Sequence, residues 1–149
     1  MTGTNFSSWY NAGQGTLYSE ASSYDVSTSK TGFGISDGTS SNRIQVLNGG
    51  TSKGNVFVAS VQEMNQPIAS VTFSNNTASK VSLAYELNNG NAAANGTIGT
   101  LDTAMTIPTV TQAQIGGLTA ALNSLNGHIR KLAYYPIRVT NAQLQGLTS

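Results

Sequence analysis

From Gly15 to Tyr24 the chain reads GTLYSEASSY, with Leu17, Ser19 and Ala21 on one side of an alternation and Tyr18, Glu20 and Ser22 on the other. Successive strand side chains point to opposite faces, so this period of two predicts a strand. TGFGIS predicts a second, Gly-interrupted strand ending at Asp37-Gly38, a pair that tolerates the positive φ of a hairpin turn. In NRIQVLN, Ile44 and Val46 oppose Arg43 and Gln45, and the run stops at Asn48-Gly49-Gly50. NVFVASVQ, PIASVTFS and KVSLAYELNNG read as three more strands, rich in Val, Phe, Ile and Tyr. Turn signals return about every 8–15 residues, the spacing of a sandwich or barrel.

Helical signals are confined to the C-terminal third. Thr140-Asn-Ala-Gln143 is a capping box, in which the Thr140 hydroxyl takes the amide of the third helical residue while Gln143 reaches back. With Leu144 and Leu147 three apart, it predicts a two-turn helix over 141–147, packed on the rim of the sandwich. Leu118, Ala121, Leu122 and Leu125 also have helical spacing, but Gly116-Gly117 before them and Asn126-Gly127 after them suit a loop equally well. The segment Asn88–Thr106, NNGNAAANGTIGTLDTAMT, has the lowest complexity in the chain and is expected to form an exposed loop with a short strand.

Composition narrows the chemistry. In 149 residues there are 36 Ser and Thr, 16 Gly and 15 Asn, and only 9% are charged, against about 25% in ordinary domains. Seven basic and six acidic residues cannot provide the clustered cations that nucleic-acid binding needs. With no cysteine, there is no disulfide, thiolate nucleophile or Cys-based metal site. No apolar run is long enough to span a membrane, so membrane insertion is not expected. The length suits a single domain over residues 1–149.

The tail, from Leu125-Asn-Gly127-His128-Ile129 through Leu132, Tyr134 and Tyr135 to the capped helix, resembles the last strand and terminal helix of laminin-G-like, concanavalin A-like jelly rolls. Phe6-Ser-Ser-Trp9-Tyr10-Asn11 with Gly15-Thr-Leu-Tyr18 is similar to the first strand of the variant found in bacteriophage tail and virion structural proteins. The resemblance implies an all-β, antiparallel two-sheet β-sandwich, a concanavalin A-like jelly roll of about a dozen strands with one short C-terminal helix. It assigns structural roles to Gly127, Ile129, Leu132, Tyr134, Thr140 and Gln143. Placing both Ile129 and Leu132 inward takes three steps along a period-two strand and therefore calls for a bulge. The resemblance also implies a virion location, as part of a tail fibre, tail protein or capsid decoration.

Little in the chain suits catalysis. Glycoside hydrolysis needs two carboxylates about 5–10 Å apart, and Glu20, Asp25, Asp37, Glu63, Glu86 and Asp102 never alternate along one strand. The single histidine, His128, falls on a strand beside Arg130, and no Gly-x-Ser-x-Gly elbow accompanies it. Calcium is the only cofactor with any candidates, and these, Asp37 and Asp102, each stand alone among neutral residues, so none is expected. Arg130, Lys131 and Arg138 form the one basic group, read as a solvated edge.

Sugar recognition needs neutral hydrogen-bonding loops around an aromatic platform. Trp9, Tyr10, Asn88 and Asn89 are the candidate contacts, with rim packing the alternative for the Trp9-Tyr10 pair. The expectation is a non-enzymatic adhesion domain for a host-surface glycan or for other virion proteins, working as a homo-oligomer such as a trimer. A purely structural decoration or oligomerisation module is the alternative, and a glycan hydrolase is the remote one.

Overall fold

The structure is a computed structural model describing residues 1–119 and 123–149. In chain order the elements are α1 (Thr4–Ser7), β1 (Gln14–Ser23), β2 (Thr31–Ser36), β3 (Arg43–Leu47), β4 (Ser52–Val58), β5 (Val61–Pro67), β6 (Ser79–Glu86), β7 (Asn91–Ala94), β8 (Thr97–Ile98), β9 (Gln112–Ile115), β10 (Gly127–Tyr135) and α2 (Asn141–Thr148). The strands pair antiparallel into two five-stranded sheets, ordered β10-β1-β6-β7-β8 and β5-β4-β3-β2-β9. The all-β sandwich with one short C-terminal helix is thus as the sequence predicts, with ten strands among the described residues rather than about a dozen. Leu17, Ile35, Ile44, Val46, Val56 and Leu83 fill the space between the sheets with no accessible surface.

The tail follows its predicted geometry. Ala21 pairs with Ile129 and Glu20 with Lys131, which leaves Arg130 as the extra residue of a bulge. Ile129 and Leu132 are only half-buried, because β10 is an edge strand. Gly127 has no room for a side chain, since a Cβ there would collide with the Ser22 carbonyl. The capping box is present: the Gln143 amide donates to Thr140 Oγ1 at 3.2 Å and the Thr140 amide to Gln143 Oε1 at 2.9 Å.

Several expectations are corrected. The opening segment is a single helical turn rather than part of the first strand: Phe6 and Ser7 donate their amides to the Gly3 carbonyl. Phe6, Trp9 and Tyr10 then share one face at helical spacing, with Phe6 as a plug in the core. The run NVFVASVQ breaks at Ala59-Ser60, both at positive φ, where a hairpin turn is held by donation from the Ala59 amide to Asn42 Oδ1 and from the Ser60 amide to the Ser41 carbonyl. The fifth strand is therefore Val61–Pro67, and the rest of PIASVTFS, from Ile68 on, is a loop anchored in the core by Ile68 and Val71. Pro67 has no amide to continue the ladder.

Of the low-complexity segment, residues 100–106 form a largely exposed loop, as expected, but two short strands, β7 and β8, come before it. Asn91–Ala94 are all buried within the first sheet. Ala92 and Ala94 face the core, while Ala93, with Ala84, lies beneath Val139 and Leu144. The helix accordingly crosses the outer face of β6, β7 and β8 instead of the rim, a close approach that small side chains permit. Gln45 is buried as well, its Oε1 accepting from Thr31 Oγ1 at 3.0 Å. Of the second helix-spaced group, Leu118 and Leu125 are buried, and Ala121 and Leu122 lie outside the described residues.

Candidate functional site

The sandwich is open along the side where β9 and β10, edge strands of opposite sheets, face each other. A cleft of about 680 Å³ lies there, walled by Trp9, Phe33, Ile115, Leu118, Leu132 and Tyr134, with Gln114, Thr119 and Ser124 as its polar groups. This volume falls in the range of small-molecule sites, roughly 300–1,000 Å³. No acidic or basic side chain lines it among the described residues. Its side chains offer ring faces and neutral hydrogen-bonding groups, and the Met1 ammonium beside them donates to the Ala113 carbonyl at 2.9 Å.

The wall is built from the N-terminal helical turn. Trp9 meets Phe6 edge-on at 5.1 Å between ring centroids and Tyr134 at 4.8 Å, and its Nε1 donates to the Asn5 carbonyl at 2.7 Å. Tyr134 is fixed from behind: its hydroxyl accepts the Asn11 amide at 2.9 Å and lies 3.0 Å from the Tyr85 hydroxyl, which donates to the Asn11 carbonyl at 2.8 Å. Gly15 makes room for this pair of phenols, because a Cβ there would strike both hydroxyls. Burial pushes the Tyr10 phenol up to about 12 and drives that of Tyr85 higher still, so both stay neutral at any ordinary pH. The platform is rigid and uncharged.

The sequence candidates divide. Trp9 lines the cleft; Tyr10 stacks on Phe6 at 4.7 Å and turns its hydroxyl into the protein. Asn88 and Asn89 form the β6–β7 turn and do not line the cleft. Asn88 takes the positive φ and donates its amide to the Met105 carbonyl, and Asn89 Nδ2 donates to Glu86 Oε2 at 2.8 Å. Their side chains suit the turn itself. Phe33, Gln114, Ile115 and Leu132 were not singled out as contacts by the sequence; the one available signal was the alternation QAQI at 112–115, with Ile115 67% exposed.

The remaining polar candidates are engaged locally. Asp37 Oδ1 accepts the Thr39 hydroxyl at 2.6 Å and its amide at 2.8 Å, while Oδ2 accepts Asn42 Nδ2, and these bonds, the Thr39 hydroxyl foremost, hold the carboxyl below the usual carboxylate range. Asp102 accepts the Ala104 amide, and Glu63 the Thr106 hydroxyl. Among the described residues no three His, Asp or Glu side chains group as metal ligands. His128 is exposed against Tyr24. Arg138 leaves the basic group to donate to Asn141 Oδ1 at 2.7 Å and to the Asn89 and Val139 carbonyls.

No family model matches the sequence, and no curated protein is similar to it at a significant level. Its fold, however, recurs in solved structures. The CBM40 carbohydrate-binding module of the Ruminococcus gnavus IT-sialidase, bound to α2,3 sialyllactose, superposes with a TM-score of 0.73 at 13% identity, covering 93% of this chain and 84% of that one. Domain 4 of AbnA, a GH43 extracellular arabinanase from Geobacillus stearothermophilus, in complex with arabinotriose, gives 0.69 at 14% identity, covering 93% and 68%. The leech intramolecular trans-sialidase gives 0.72 at 16%, where the match covers 93% of this chain but 23% of that protein. At these identities the likeness shows the fold alone: a two-sheet β-sandwich of the kind these modules have.

Proposed function

We propose that this chain is a non-catalytic carbohydrate-binding domain that seats a neutral glycan in the cleft between β9 and β10. The observation that carries the reading is the Trp9–Tyr134 wall, a fixed aromatic surface in a cleft with no charged lining side chain. Ring faces pack against the C–H faces of a sugar, and Gln114, Thr119 and Ser124 offer amide and hydroxyl groups to its hydroxyls. Structures of the same fold in complex with sialyllactose and arabinotriose support carbohydrate binding as such. Asp37, Asp102 and Glu63 are each held by local hydroxyl or amide donors, which suits a binding role.

The setting proposed for this binding is the surface of a phage particle, on the tail or capsid, as the tail and opening motifs imply. There a homo-oligomer, with a trimer as the natural fibre form, would present several weak sites together and turn modest single-site affinity into avidity. A glycan array probed with the domain, alone and multimerised, is the test. Binding is expected, with Trp9→Ala reducing it at least tenfold and Asn88→Ala leaving it unchanged. Silence from both forms would overturn glycan binding in favour of an assembly role; equal binding by Trp9→Ala would move the site elsewhere.

A further inference from the structure

A second cleft, of about 520 Å³, lies at an end of the sandwich, between the β3–β4 turn and the loop that follows β5. It shares no residue with the first. Lys53 lines it, yet this residue is only 1% exposed. Its ammonium donates to the Gly50 carbonyl at 3.0 Å and sits 3.9 Å from the centre of the Phe73 ring. No acidic side chain lines the cleft among the described residues. Asp25, close by in sequence to the lining residue Val26, is turned to the Ser27 amide and to Lys30. A buried cation without an anion is costly, and in a chain with only seven basic residues it stands apart.

We propose that this cleft is a binding site for a small organic monocarboxylate, with the Lys53 ammonium as its anchor. An ammonium carries three N–H donors. One is spent on Gly50 and one side faces Phe73, which leaves donor capacity for an incoming oxygen. One cation balances one negative charge, which favours a carboxylate over a phosphate dianion. Ile68, Val71 and Phe73 supply apolar surface for the carbon skeleton of the ligand, and Thr51, an exposed lining residue, brings a hydroxyl. Burial also lowers the proton affinity of the amine.

The test titrates the intact chain with cyclohexanecarboxylate, followed by amide and lysine side-chain NMR. Cyclohexanecarboxamide, of the same shape without charge, and inorganic phosphate are the controls. Saturable shifts at Thr51, Phe73 and the Lys53 ammonium are expected with the carboxylate, with at least tenfold weaker responses to the amide and to phosphate. Lys53→Met should weaken carboxylate binding at least tenfold. Should that variant fail to fold, the Lys53 ammonium resonance of the unaltered chain reports contact directly. An unmoved ammonium signal, undiminished binding in Lys53→Met, or phosphate binding as tight as the carboxylate would each overturn the assignment.

Discussion

The two sheets use their outer faces differently. The first, β10-β1-β6-β7-β8, is sealed over part of its outside by α2, with Ala84 and Ala93 beneath Leu144. The second, β5-β4-β3-β2-β9, carries no helix on its outer face among the described residues and turns Arg43 and Phe57 outward as a stacked pair, 3.5 Å from guanidinium carbon to ring centre. The first sheet carries its only described helix on one face, so both its sides are under packing constraint, whereas the second can vary its outer residues at less cost. The Trp9 cleft lies at the seam where one edge of each sheet stops. It draws rigidity from the closed sheet through Tyr134 and access from the edge of the other through Ile115.

The largest effect that would sharpen this contrast is alkaline unfolding. In the closed sheet, desolvation raises Tyr18 to about 12, with the Glu20 carboxylate adding to it, and raises Tyr85 further; Tyr10, next to Tyr85, is also raised to about 12. Unfolded tyrosines titrate near 10, so the folded state holds protons that the unfolded state releases. This stability is fully present below about pH 10 and is lost as pH rises from 10 towards 12. Lys53 in the open sheet works in the opposite sense, because its lowered proton affinity makes its contribution rise towards the unfolded value near 10.4. Three tyrosines outweigh one lysine. Circular dichroism against pH should show a cooperative loss in step with tyrosinate absorbance, and a chain stable at pH 12 would break the account.

Leu144→Ala comes next. It opens a cavity between α2 and the sheet and should cost about 3 kcal/mol in a urea melt. A loss below about 1 kcal/mol would show that the helix does not seal the sheet. Gly127→Ala should cost about 2 kcal/mol, since β10 must move away from the Ser22 carbonyl to admit a methyl group. The smallest effect is expected from Thr140→Ala, about 1 kcal/mol through the lost cap, visible as a modest fall in Tm.

How much of this was legible in the sequence varied with the same contrast. The strand Arg43–Leu47 announced itself by the alternation of Ile44 and Val46 with Arg43 and Gln45, although Gln45 is buried too, and the capping box fixed α2 nearly to the residue. Asn91–Ala94 gave no periodic signal because both its faces are buried by alanines, which look like a featureless tract in the sequence. The Ala59-Ser60 turn was hidden because neither residue is a usual bearer of positive φ; its support comes from Ser41 and Asn42 on another hairpin. At the candidate site Trp9 was legible as an aromatic in an unusual place. Phe33 and Leu132 were not, because only the meeting of two sheet edges brings them to its side.

The bulge at Arg130 has a further consequence. It sits on β10, the longest edge strand among the described residues, where Arg130 and Lys131 stand side by side, and it breaks the regular spacing of amides and carbonyls that another ribbon would need to align with. Copies of the domain crowded side by side can therefore approach one another without zippering into a continuous fibril.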